Sequence, residues 1–323
     1  MKTALCVAVV VLVAGGSAVA QDWPTRPISM VVPFAAGGPV DVSGRIVAQR
    51  LTEILGRQIV VENVGGAGGT TGASRVAKAA PDGYQFLLGN IATQAFSQSL
   101  YRRPAYDAVT DFAPVGLTIE QPRVLVVRKD LPVSTLPEFI AYAKAHQTEL
   151  KYGSAGAGSA AHVAALLLNS RIGVDITHVP YRSTALAMQD IAAGRVDYIC
   201  DVIIGALPVI QSGSVKPIAY LSPVRSHVLP NLPTANEQGL ADFDTSSWHA
   251  VFFPSGTPDA IVRRLNAALG ETLDTASVRE RLEGLGATIV APERRSPEYL
   301  GRMLPGEIAK WAVPIKASGA TVE

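Results

Sequence analysis

The sequence lacks most of what marks a catalyst, a metalloprotein or a nucleic-acid binder. It has two cysteines, Cys6 and Cys200. Cys6 sits in an N-terminal stretch that reads as removable, so Cys200 has no partner for an internal disulfide. Tyr198, Ile199, Val202 and Ile203 surround it in sequence, which makes it a small buried apolar residue rather than a nucleophile. Charge of one sign is missing too: 28 Lys+Arg stand against 27 Asp+Glu. A chain this close to neutral carries no electrostatic footprint for nucleic acid. The N-terminal apolar stretch, 4–13, falls short of the ~20 residues that a membrane span needs, and no later stretch is long enough to span either. The histidines His146, His162, His178, His227 and His249 form no pair at metal-ligand spacing. No Gly-x-Ser-x-Gly elbow is present. We therefore expect no catalytic residues, no metal and no cofactor.

What is present begins with a leader. Met1-Lys2, the apolar run and Ala18-Val19-Ala20 are the parts of a secretory signal peptide. Cleavage is expected after Ala20, which places the mature chain outside the cytoplasm. Its 48% hydrophobic and 17% charged residues describe a globular protein long enough for two domains.

The first unit is organised around Pro33-Phe34-Ala35-Ala36-Gly37-Gly38-Pro39-Val40-Asp41. An apolar strand, 28–32, precedes it, and a helical pattern over 42–55 follows. Gly37 and Gly38 let the backbone turn, Pro39 suits the first helical position, and Asp41 suits the first turn. A strand that ends in a glycine turn and opens a helix aims free N–H groups at one spot, and that spot attracts anions. Strands at 58–63 and 84–88 continue a β-α-β-α-β pattern, the mark of a parallel sheet. A second pass starts near Val133, where Thr135-Leu136-Pro137-Glu138 has capping-box spacing. Thr257-Pro258-Asp259 is read as the cap of another long helix. The chain is thus expected to be α/β with two units, each a mainly parallel sheet flanked by helices. Domain 1 takes 21–124 and 223–323, and domain 2 takes 125–222.

Three glycine loops compete for a ligand. Gly65 to Gly72 lacks the lysine of a phosphate-binding loop and is read as a structural turn. Gly156-Ala157-Gly158-Ser159-Ala160-Ala161 formally matches a dinucleotide fingerprint. However, the nearest acid, Asp175, precedes the next strand instead of ending it, and an exported chain has little access to nicotinamide cofactor. Ser159 and His162, one helical turn apart, leave an exported hydrolase as the competing reading. A sensor subunit presenting its ligand to a signalling partner is a further one. Pairing the loops gives the favoured reading: Phe34 to Asp41 and Ser154 to His162 would clamp a small anion from two sides with backbone N–H groups.

The same residues resemble a family. Pro33 to Asp41, Val61-Glu62-Asn63 with Gly66-Ala67-Gly68-Gly69, Pro81-Asp82-Gly83-Tyr84, Asp111-Phe112-Ala113-Pro114-Val115, Tyr152-Gly153-Ser154, His178-Val179-Pro180-Tyr181 and Gly256-Thr257-Pro258 are similar, in order, to motifs of the Bug/TctC family. That family comprises the periplasmic solute-binding components of tripartite tricarboxylate transporters. The resemblance implies a two-domain Venus flytrap closing on a small organic carboxylate and serving membrane transporter subunits, and we expect it to act as a monomer. Carried over by position, the ligand contacts are Phe34, Ala36, Gly37, Gly38, Val40 and Asp41 from the first loop. Ser154, Ala157, Gly158, Ser159 and His162 come from the second, with Ala92, Tyr181, Arg182 and Asp201 beside them. Val40 stands where many relatives have Thr or Ser, and Arg182-Ser183 replaces a commoner Lys-Gly. Arg182 is read either as a reach toward a second carboxylate or as a solvated surface charge.

Overall fold

The computed structural model describes residues 23–322; the leader expected at 1–20 lies outside the described residues. The chain runs β1 (Ile28–Val32), α1 (Pro39–Leu55), β2 (Ile59–Asn63), α2 (Thr70–Ala77), β3 (Gln85–Asn90), a π-helical turn (Ala92–Phe96), α3 (Ser97–Leu100) and β4 (Phe112–Gln121). It continues through β5 (Arg123–Arg128), α4 (Leu136–Ala145), β6 (Lys151–Ser154), α5 (Ala160–Ile172), β7 (Thr177–Pro180), α6 (Thr184–Ala192), β8 (Tyr198–Val202), α7 (Ile203–Gln211) and β9 (Val215–Tyr220). Then come β10 (Ser247–Pro254), α8 (Asp259–Asp274), α9 (Ala276–Gly284), β11 (Thr288–Ile289) and α10 (Pro297–Ala317).

The strands form a six-stranded sheet, β11-β4-β10-β3-β1-β2, and a five-stranded sheet, β7-β6-β8-β5-β9. β1, β2 and β3 pair in parallel, as do β6, β7 and β8. β10 and β5 are inserted antiparallel to both of their neighbours, and β11 closes the first sheet antiparallel to β4. The sheets are therefore mixed rather than uniformly parallel. Strands that cross from one sheet to the other enter head-on, and a local sequence pattern does not reveal this. The chain leaves the six-stranded sheet after Gln121, and Arg123 already pairs in the five-stranded one.

Each sheet buries both faces, so its central strands are mostly apolar, with polar exceptions such as Asn90, Arg123, Asp201 and His249. One face of the first sheet packs Ile46, Val47 and Leu51 of α1 with Leu265 and Leu269 of α8. Its other face packs Phe96 and the Leu304 and Trp311 side chains of α10. The second sheet lies between Phe139 and Leu168 on one side and Met188, Ile191 and Leu207 on the other. Among the described residues no helix is long and apolar enough to cross a membrane.

Local signals were honoured where they were strongest. Pro39 is the first residue of α1, Gly38 is its extended cap, and Gly56 ends it at φ +66°. Thr135 and Glu138 form the reciprocal capping box of α4. At α8 the expected side-chain cap does not form. The Thr257 hydroxyl turns back to the Pro254 carbonyl, and Asp259 instead pairs with Arg263 one turn on.

Candidate functional site

A small cavity lies between the two sheets, and the starts of four helices line it. Gly38, Pro39 and Val40 belong to α1, Ala160 and Ala161 to α5, Ser183 and Thr184 to α6, and Val202 leads into α7. First-turn N–H groups have no acceptor within their own helix. Each helix also presents the positive end of its dipole here. The Ile203 N–H of α7 is taken by the Pro122 carbonyl. Converging helix starts make the cavity attractive to an anion.

Polar side chains that lack partners point the same way. Ser183 Oγ, Thr184 Oγ1 and Asp201 Oδ2 are buried without a hydrogen bond, and their residues all line the cavity. Native interiors rarely leave such groups unpaired. The other Asp201 oxygen, Oδ1, accepts from the Val202 N–H at 2.8 Å. A Cβ at position 205 would sit 2.6 Å from Asp201 Oδ2, so Gly205 makes room for the carboxyl. Burial pushes the Asp201 carboxyl up to about 6, against the pull of the Arg123 guanidinium and the nearby Thr184 hydroxyl. The Thr184 hydroxyl is close enough to favour the ionised form, yet its geometry falls short of a hydrogen bond.

Of the residues expected at the site, Phe34, Gly38, Val40, Ser159 and Asp201 line the cavity. The others stand behind it, and their bonds show what they do. The Gly37 N–H donates to Asp41 Oδ2 at 2.9 Å, and Arg45 Nε and Asn63 Nδ2 also donate to that carboxylate. Burial raises the Asp41 pKa, but these donors outweigh it and hold the carboxyl below its usual range. Asp41 therefore builds the turn that opens α1, and Ala36 and Gly37 lie exposed on its outside. The Gly158 N–H donates to His162 Nδ1 at 3.2 Å, and the His162 N–H donates to Ser159 Oγ at 3.3 Å. The imidazole nitrogen that would serve Ser159 as a base is thus turned to the loop, and no Ser159–His162 dyad forms. Burial lowers the His162 pKa to about 4, so the ring is neutral.

Ser154 Oγ lies 2.6 Å from His178 Nε2 and accepts from the Gly156 N–H at 3.0 Å, fixing the second glycine loop from below. The Tyr181 hydroxyl goes to Asp190 at 2.5 Å, away from the cavity. Ala92 is buried, and its N–H is already given to Asn90 Oδ1 at 3.0 Å. Arg182 holds its side chain out to solvent, and its carbonyl accepts the Ala35 N–H at 3.2 Å. That backbone bond joins the first glycine loop to the connection between β7 and α6.

The loop read as a plain turn, Gly65 to Gly72, also reaches across. Gly68 packs so closely on Ala157, Gly158 and Ser159 that a Cβ there would lie 2.4 Å from the Ala157 oxygen. The Tyr101 hydroxyl donates to the Ala67 carbonyl at 2.6 Å and lies 3.4 Å from the Ala157 oxygen.

Sequence reasoning missed Asn90, Arg123, Thr184, Ser247 and His249, all of which line the cavity. His249 sits in a buried chain in which Gln121 Nε2 lies 3.0 Å from its Nε2 and Ser43 Oγ lies 2.9 Å from its Nδ1. Ser43 in turn donates to the Val40 carbonyl at 3.2 Å. One direction of donation, from Gln121 through a neutral imidazole to Ser43 and Val40, satisfies all three contacts. Burial holds the His249 pKa down at about 3. The one available signal was Arg123, a lone charge heading the apolar run Val124 to Val127. No group of three or more His, Cys, Asp or Glu side chains that could hold a metal ion occurs among the described residues.

The family model described as the tripartite tricarboxylate transporter family receptor, TctC, matches residues 43–319. Three solved structures are similar over their full length. MatC from Rhodopseudomonas palustris, solved with bound malate, is 41% identical with a TM-score of 0.89, covering 91% of this chain and 100% of that one. The periplasmic binding protein BugD is 37% identical with a TM-score of 0.90, covering 93% and 100%. A second R. palustris protein, solved with adipate, is 37% identical with a TM-score of 0.88, again covering 93% and 100%.

Proposed function

Because the chain belongs to the tripartite tricarboxylate transporter receptor family, TctC, we propose that it is a solute-binding protein that captures a small organic carboxylate between its two sheets. It works in the periplasm after losing the leader that ends at Ala20, and it delivers its ligand, as a monomer, to a tripartite tricarboxylate-type membrane transporter. The observation that carries this reading is the cavity where four helix starts meet three buried, unpartnered polar side chains. Malate and adipate in the two R. palustris neighbours support a carboxylate as the ligand class.

In this reading the chain forms two lobes that close by hinge motion. The first holds the six-stranded sheet and the second the five-stranded one; the boundaries expected at 124 and 223 shift, because Arg123 and Val124 pair in the five-stranded sheet and Ala235 and Phe243 pack in its core. Phe34, Gly38, Val40, Ser159 and Asp201 touch the ligand. Ala36, Gly37 and Asp41 shape one jaw; Ser154, Ala157, Gly158 and His162 shape the other. Ala92, Tyr181 and Arg182 support them, Arg182 through its carbonyl. Each hydrogen bond to the charged ligand contributes roughly 1.5–3 kcal/mol. Four or five such bonds approach the ~8 kcal/mol of micromolar affinity.

A thermal-shift panel of mono-, di-, tri- and aromatic carboxylates on the mature protein tests the proposal. At a hundredfold excess over Kd a true ligand should add about 2.7 kcal/mol, a rise of several degrees. A melting temperature that no carboxylate moves would refute it. Ser159→Ala should fold, losing about 1 kcal/mol with its helix cap, and should bind about tenfold more weakly. Unchanged affinity would remove the Ser159 hydroxyl from the contacts.

A further inference from the structure

Arg123 is the first residue of β5, and only 1% of its surface is exposed. Its side chain lines the cavity. Nε donates to the Thr245 carbonyl at 3.0 Å and Nη1 to the Cys200 carbonyl at 2.9 Å. The guanidinium offers five N–H donors in a rigid fork. The donors that remain find no acceptor among the described residues. No carboxylate oxygen lies in ion-pair contact with it there either; Asp201 and Asp244 act on it only at longer range. An arginine stays protonated at any working pH. A buried charge without a contact partner costs several kcal/mol. The fold therefore holds a cation in the cavity wall whose charge Asp201 and Asp244 offset only at a distance, with guanidinium donors left over.

Asp201 does not fill that place. One of its oxygens serves Val202 and the other has no partner. Arg182, the cation that sequence reading offered for a second carboxylate, directs its side chain to solvent. The helix starts meanwhile suffice for one ligand carboxylate. The cavity wall also carries apolar side chains, those of Phe34, Val40, Ala155, Ala160 and Ala161. A methylene chain fits such a wall.

Resting on the carboxylate-binding reading above, we infer that Arg123 is the specificity-determining residue of the cleft, pairing with a second ligand carboxylate so that dicarboxylates are selected over monocarboxylates. The ligand's far carboxylate completes the fork of Arg123 with charge-assisted hydrogen bonds, while its near carboxylate sits at the helix starts. A monocarboxylate of equal length leaves the guanidinium desolvated and unpaired, and a site built for a polar group penalises a ligand that lacks it.

The test is calorimetry on the mature protein with malonate, succinate, glutarate and adipate, each beside its monomethyl ester. For the best-bound acid, wild type should prefer the dicarboxylate to its half-ester by about 100-fold, or about 2.7 kcal/mol. Arg123→Gln should lower dicarboxylate affinity by about that factor and half-ester affinity by less than about threefold, and Arg123→Lys should fall between. The inference is overturned if wild type binds half-esters as tightly as diacids, or if Arg123→Gln keeps the preference. Arg123 also ties the Thr245 and Cys200 carbonyls together, so should Arg123→Gln fail to fold, the wild-type pairs decide alone. Half-esters bound as well as diacids would sink only this inference. A wild-type protein that binds none of the acids, in a panel that also includes citrate and benzoate, would sink the carboxylate reading itself.

Discussion

Gly68→Ala is expected to fold and to bind carboxylates at least about 100-fold more weakly than wild type. Gly68 has φ +62°, and a Cβ there would stand 2.4 Å from the Ala157 oxygen, 2.6 Å from the Gly158 carbonyl carbon and 2.7 Å from the Ser159 nitrogen. All three are backbone atoms of the opposite jaw, so no side chain can swing away. With the lobes apart the added methyl meets only its own loop, and the cost is the left-handed conformation alone, about 1–2 kcal/mol. With the lobes together it collides. On the hinge motion proposed above, the substitution acts on the open–closed equilibrium, and apparent affinity falls with the fraction of competent molecules. Gly56→Ala supplies the control, since Gly56 has φ +66° and nothing within 4 Å of its would-be Cβ. It should lose similar stability and keep full affinity. Calorimetry and urea denaturation on both variants separate the two effects. Wild-type affinity in Gly68→Ala would show that the jaws need not meet at this point.

The second large effect is acid sensitivity. Burial lowers His162 to about 4 and His249 to about 3, from an ordinary value of 6.5. His178, also held down to about 3 by burial and by His162, is only partly buried and counts for less. Below pH 6.5 the unfolded chain takes up protons that the folded chain refuses. The stability these rings contribute is complete above 6.5 and drains as pH falls toward their folded values. Each ring that stays neutral costs about 1.4 kcal/mol per pH unit in that window. Asp201 works in the opposite direction. Raised to about 6 from 3.8, it takes up a proton in the folded state first and returns part of the loss as pH falls from 6 to 3.8. The net is one to two protons, roughly 1.4–3 kcal/mol per pH unit between 6 and 4. Against a total stability of about 5–15 kcal/mol, the resulting loss of roughly 3–6 kcal/mol by pH 4 should remove a large share of the stability. Urea midpoints taken from pH 8 to 4 would show the slope, and His249→Gln should flatten it by close to one proton. A stability that stays level from pH 7 down to 4.5 would contradict the burial argument.

Local chemistry was legible in the sequence wherever a short stretch determines its own geometry. The glycine turn and Pro39 announced α1, Thr135 and Glu138 announced α4, and Ser159 does cap α5. The family resemblance supplied the two-lobed α/β plan. What could not be read is what distant strands bring together. His249 meets Gln121 across 128 positions and Ser43 across 206, because β10 inserts between β3 and β4. No periodicity in Trp248 to Phe253 says which strands will flank it. Gly68 looked like one glycine among several, since its purpose lies in the backbone at Ala157 and not in its neighbours. Arg123 was visible as a lone charge, but its partners, Cys200 in β8 and Thr245 just before β10, lie 77 and 122 positions away.

The four helix starts are not shared evenly. α5, α6 and α7 pack against strands of the five-stranded sheet, and α1 packs against the six-stranded one. In the hinge motion proposed above, a bound anion would lose one dipole and keep three, together with Arg123. The cargo thus stays seated on one half while the other half swings off it like a lid. Under the proposed transport role, handover would start from an exposed, still-held ligand on the rim of the five-stranded half.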